Sequence, residues 1–131
     1  MPIRTRLTTK GFEQYLEAIA KAGQNIDAIA DEALLAGGEV LLNGMKQRVP
    51  KDTHNLEQHL ALVGPVQDGN FHYVDVGIPP TADADTARYG NVQEYGSANT
   101  PAQPYVRQTL DHDMSKARAE MKKVFVEKGA L

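Results

Sequence analysis

The strongest fold signal in this sequence is one long amphipathic run. Ile26, Ile29, Ala33, Leu34, Val40, Leu41 and Met45 recur at helical spacing. Asn25 supplies a good N-cap, and Asp27 and Asp31 lie near the positive end of the helix dipole. Pro50 stops the run, because proline disfavours the helical region for Val49 before it. A helix from Asn25 to Arg48 is roughly 36 Å long. That is long for a chain of 131 residues, which by length is a single domain spanning 1–131. Gly37-Gly38 in its middle costs about 1 kcal/mol per glycine in propensity. The pair predicts a kink or a close helix–sheet contact.

Shorter signals flank this helix. Residues 2–8 alternate and carry β-branched threonines, which predicts a strand. Thr9 is placed to cap a short helix with Phe12, Leu16 and Ile19 on one face, ended by Gly23. Residues 58–67 and 71–78, split by Asp68-Gly69-Asn70, read as an antiparallel hairpin of imperfect register. Ile78 to Ala87 reads as a solvent loop, and residues 88–95 suit a strand or a helix equally. After a second loop, Ser97 to Pro104, Pro104 is well placed to start a helix. Val106, Leu110, Met114, Ala117, Met121, Val124 and Phe125 continue it to about Lys128, with Gly129 as its end. The order gives an α+β domain. A small, mainly antiparallel sheet is packed by a long central helix and a C-terminal helix.

Composition narrows the functional classes. There is no cysteine, which removes disulfides, thiolate metal sites and cysteine nucleophiles together. Net charge is −3, so there is no basic footprint for nucleic acid. No apolar run approaches the roughly 20 residues of a membrane span, and no apolar segment follows the charged N-terminus as in a signal peptide. Aromatic residues are only 6%, with no tryptophan. Such a core relies on aliphatic side chains or borrows burial from a partner subunit.

Local chemistry is sparse. His54 and His59 are five apart, unlike the i, i+4 pair of an HExxH zinc helix. His72 sits in a predicted strand, and His112 between two aspartates. Asp75 and Glu94 are candidate acid/base carboxylates, with no partner fixed by spacing. P-loop, G-x-S-x-G and G-x-G-x-x-G patterns are absent. No catalytic residue, cofactor or metal ligand is assigned.

Three stretches in register carry a resemblance. They are Val49-Pro50-Lys51-Asp52-Thr53-His54-Asn55-Leu56, Glu94-Tyr95-Gly96-Ser97 and Ala102-Gln103-Pro104-Tyr105-Val106-Arg107. Together they resemble the neck (head–tail joining) proteins of long-tailed phages. In that family a long helix ends in V-P-x-D-T-G-x-L. A strand pair, an E-x-G-[ST] turn and a final helix opened by P-[FY]-[LMV]-R follow. The opening Ile3…Gly11-Phe12-Glu13 is also similar, so the likeness spans nearly the whole chain. His54 departs from the pattern, standing where the family has glycine.

The resemblance implies a structural virion protein of the neck or tail, assembled in the host cytoplasm. It implies a homo-oligomeric ring, six- or twelve-fold, built on heterologous contacts. Its neighbours would be a head-side connector or stopper and a tail-terminator or tail-tube protein. Genomic DNA would pass through the lumen unread, and no membrane is involved. Loops 79–87 and 97–103 are the segments expected to reach neighbours. The candidate interface residues are Asp52, Thr53, Glu94, Tyr95, Pro104, Tyr105 and Arg107. Tyrosine and arginine are types enriched at interface hot spots. Other readings are a tail-terminator (tail-completion) subunit, a small metal-dependent hydrolase using His54, His59 and Asp75, or a cytosolic binding module.

Overall fold

The computed structural model describes residues 3–51, 55–69 and 71–128. In chain order the elements are β1 (Arg4–Thr8), α1 (Glu13–Lys21), α2 (Ile26–Arg48), α3 (Asn55–His59), β2 (Ala61–Asp68), β3 (Phe71–Gly77), α4 (Ala84–Tyr95) and α5 (Val106–Lys128). The strands form one antiparallel sheet in the order β1-β3-β2. This is the expected α+β architecture, with long helices against a small sheet.

Helix α2 is the spine. Asn25 caps it as the sequence predicts, its side chain accepting the Ala28 N–H at 3.1 Å. One side of α2 lies on the sheet face carrying Leu7, Val74 and Val76, and another runs antiparallel to α5. Gly37-Gly38 marks a close approach within an unbroken helix. A Cβ on Gly37 would come within 2.8 Å of Met121 Cγ, 2.9 Å of Leu7 Cδ2 and 3.1 Å of the Ala117 carbonyl. Gly38 faces Leu62 and Val74 of the sheet in the same way. Two hydrogens in place of side chains let α2 touch α5 and the sheet at one level. Each aliphatic side chain buried around them contributes about 1.5–3 kcal/mol.

Three of the eight aromatic residues form one cluster. Phe125 packs its ring 5.1 Å from Phe12 and 6.1 Å from Tyr15, joining α5 to α1. Both separations lie in the range favoured by aromatic pairs.

The sheet has one covered and one open face. Register places Leu7 opposite Val74 and Leu62 opposite Val76 on the helix side. Arg6, Tyr73, Asp75, Val63 and Val66 share the other side. There Val63 is 48% exposed, Val66 40% and Phe71 37%. Strand β2 is an edge, and its pairing with β3 shifts between Val63 and Val66, across Gly64 and Pro65.

Four local expectations change. Residues 55–59 form α3, so β2 begins at Ala61 and not at residue 58. Helix α4 takes 88–95 and also 84–87 from the predicted loop, because Asp83 caps it. Thr9 does not cap α1. The cap position is Phe12, and the Glu13 carboxylate accepts the Gly11 N–H at 2.9 Å instead. Helix α5 starts at Val106, two residues beyond Pro104. Asn70 of the hairpin turn and Gly129 lie outside the described residues. Among the described residues no helix is long and apolar enough to cross a membrane.

Candidate interface segment

The chain from Asp83 to Arg107 folds back on itself as a clasp. Asp83 opens α4, accepting the Thr86 N–H at 3.0 Å and its hydroxyl at 2.7 Å. These two donors favour the charged form and hold the Asp83 carboxyl below the ordinary aspartate range. Asn55 of α3 donates from Nδ2 to Thr86 Oγ1 at 3.2 Å, tying the start of α4 to the segment after Pro50.

At the other end of α4, Glu94 is completely buried. A buried carboxylate needs donors on every side, and it has them. It accepts the Val106 N–H at 2.7 Å, the Arg107 N–H at 3.0 Å and Arg107 Nε at 3.0 Å. The first two belong to the N-terminal turn of α5, which has no intrahelical acceptors for them. Glu94 therefore caps a helix other than its own, and Arg107 compensates its charge in the same place. Tyr105, also fully buried, donates its hydroxyl to the Gly90 carbonyl at 3.1 Å. Burial, with the Glu94 charge beside it, pushes the Tyr105 phenol well above the ordinary tyrosine value.

Between the two sides of the clasp the backbone reverses at Gly96, whose φ is +81°. A Cβ there would sit 3.1 Å from both the Ala102 nitrogen and the Thr100 carbonyl. Ser97 and Thr100 exchange backbone hydrogen bonds at 2.9 and 3.4 Å, and the Gln103 N–H reaches the Gln93 carbonyl at 2.6 Å. The loop is thus braced at its base, while Ser97, Ala98 and Asn99 stay exposed.

The sequence-predicted interface residues divide accordingly. Glu94, Tyr95, Pro104, Tyr105 and Arg107 are brought together in this clasp. The Glu94 and Tyr105 side chains are used inside the subunit. Tyr95 and Pro104 are half-buried, and the Arg107 side chain is 53% exposed, its guanidinium 5.3 Å from the Tyr95 ring centroid. Asp52 and Thr53 lie outside the described residues, as does His54.

The other titratable candidates do not converge. Asp75 pairs with Arg6 through both carboxylate oxygens, at 2.8 and 3.1 Å on the open sheet face, whereas Glu94 belongs to Arg107. His72 is buried, with Nδ1 at 2.8 Å from Asp31 and Nε2 at 3.1 Å from Asp27, joining β3 to α2. His59 lies 3.8 Å from Asp83. Among the described residues no group of three or more such side chains is placed to hold a metal ion.

Sequence reasoning missed the open sheet face. Val63 and Val66 are three apart, which breaks strand alternation on paper. The irregularity at Gly64-Pro65 returns both to one side of the sheet. That proline within a β-rich run was the available signal.

A family model described as bacteriophage HK97-gp10, putative tail-component, matches residues 10–96. The match covers two thirds of the chain, from the approach to α1 through the Gly96 turn. No curated protein and no solved structure matches the chain.

Proposed function

The chain belongs to the HK97-gp10-like family of phage tail components, and from that premise we propose that it is a neck (head–tail joining) ring subunit. The open sheet face carries this reading. A three-stranded sheet with Val63, Val66 and Phe71 exposed on one side leaves apolar area for another protein to cover. In a ring of six or twelve copies that area is buried between subunits. The ring sits between the portal-side connector and the tail, and docks on a head-side connector or stopper and on the tail.

The clasp and its exposed loop 97–103 supply a second contact element. Tyr95, Pro104 and Arg107 are its accessible parts, with Asp52 and Thr53 as further contacts. Glu94 and Tyr105 serve by fixing its shape. A net charge of −3 suits a channel that passes DNA without retaining it, since retention requires clustered lysine and arginine on the phosphates. The role is structural, with no catalytic step.

A tail-terminator subunit is the second reading, favoured by the tail assignment in the family description. Imaging of the assembled particle separates the two. Density in a closed ring between head connector and tail supports the neck reading. A ring capping the tail tube supports the terminator, and absence of the chain from the particle overturns both.

A further inference from the structure

We infer that the open sheet face of one copy docks on the Leu35 face of α2 in the next copy, head to tail. The inference rests on the ring reading above and assigns its two contacting surfaces. Five large apolar side chains among the described residues are notably exposed. Val63, Val66 and Phe71 lie on or at the open face, Leu35 lies on α2 and Val126 on α5.

Charge selects between the possible pairings. The open face is bordered mainly by cations, with Asp68 as the exposed carboxylate opposite Phe71. Arg4 and Lys10 are exposed, and Lys10 Nζ stands 4.6 Å from the Phe71 ring centroid. Arg6 is already engaged, its guanidinium 3.8 Å from the Tyr73 centroid and paired with Asp75. A sheet face set against its own copy would oppose these cations to each other, which disfavours a two-fold contact. Val126 is no better a partner, because Lys122 and Lys123 stand four and three residues before it on the same helix side.

Leu35, 41% exposed, has the opposite surroundings. Asp31, Glu32 and Glu39 lie at i−4, i−3 and i+4, all carboxylates. Asp31 is held by His72, but Glu32 is half exposed, with Lys128 Nζ at 3.9 Å, and Glu39 is exposed. The α2 patch is thus apolar at its centre and acidic at its rim. The sheet patch is apolar at its centre and net basic at its rim, where Arg4, Arg6 and Lys10 outnumber Asp68 and Asp75. Two different surfaces that fit each other make a heterologous contact, which closes into a ring when the rotation permits.

The absence of cysteine allows a direct test. Phage particles are assembled with the full-length Leu35→Cys/Val66→Cys variant, treated with a short bismaleimide and run on a denaturing gel. A ladder extending beyond the dimer is expected from the double variant. Either single variant can give a dimer at most. No ladder from particles whose ring is visible by imaging overturns the surface assignment and leaves the ring reading standing. No ladder and no ring overturns both. In a second arm, Arg4→Glu/Lys10→Glu and Glu32→Lys/Glu39→Lys each lose incorporation into particles, and combining them restores it. A combined variant as defective as either half overturns the pairing.

Discussion

The Glu94 carboxylate at the end of α4 lies 2.7 Å from the Val106 nitrogen at the start of α5, so one buried side chain joins the two helices across the 97–103 loop. Replacing it with alanine leaves two helix-terminal N–H groups and Arg107 Nε without their carboxylate acceptor, while Arg107 Nη2 keeps the Glu94 backbone carbonyl. Leaving a buried backbone donor without its acceptor costs about 1–3 kcal/mol each. Glu94→Ala is therefore expected to forfeit much of the roughly 5–15 kcal/mol that stabilises a typical domain. Glu94→Gln retains one acceptor oxygen and falls between the two. Urea unfolding measures both, and a loss for Glu94→Ala no larger than that of an ordinary surface substitution would refute the capping role.

Gly37→Ala tests the contact between α2 and α5. On helix propensity alone alanine gains about 1 kcal/mol over glycine. Here the new methyl meets Met121, Leu7 and the Ala117 backbone carbonyl at about 3 Å or less. Overpacking of this kind costs about 1–3 kcal/mol, so the substitution is expected to lower the melting temperature. A rise would mean that α5 moves aside freely.

The Tyr105 phenol has a folded-state pKa raised by burial above the unfolded value of about 10. Its contribution to stability is fully present below that unfolded value and is lost as pH rises toward the folded one. Ultraviolet titration should therefore show the same phenolate absorbance for the wild type and Tyr105→Phe until alkaline unfolding begins. A variant that lacks one tyrosine's absorbance near pH 10 would contradict the burial argument.

Asp83 behaves in the opposite sense. Its folded pKa is depressed by the two Thr86 donors, so its contribution is present above the unfolded aspartate value and fades as pH falls through the folded one. Asp83→Asn keeps an acceptor for the cap but removes the titration. Its stability profile is expected to be flatter than that of the wild type on the acid side. Identical acid limbs would show that the cap does not depend on charge.

The long-range plan of the fold was legible because its signals are local and redundant. Asn25, the apolar stripe and Pro50 define α2 independently of one another, and the structure places each where the sequence implies. Residues 88–95 were ambiguous for a physical reason. The cap that makes them helical is Asp83, which sits in a stretch that reads as loop because of Pro79-Pro80. The clasp was legible only as an order of motifs, since a carboxylate capping a helix twelve positions away leaves no periodic trace. Leu35 and Val63 carried no signal of exposure, because an apolar residue reads the same whether a helix or another subunit covers it.

The edge strand β2 has a consequence for how copies of the chain meet in solution. A smooth outer strand would offer a row of amide donors and acceptors on which another copy could add without limit. Pro65 has no N–H to offer, and the shift between Val63 and Val66 breaks the row around it. On the far side β1 is only five residues long and carries Arg4 and Arg6. Both borders of the sheet thus resist zipping into open-ended fibres. On the ring reading proposed above, a newly made pool can stay dispersed, and growth is left to side-chain surfaces that saturate once each has found its match.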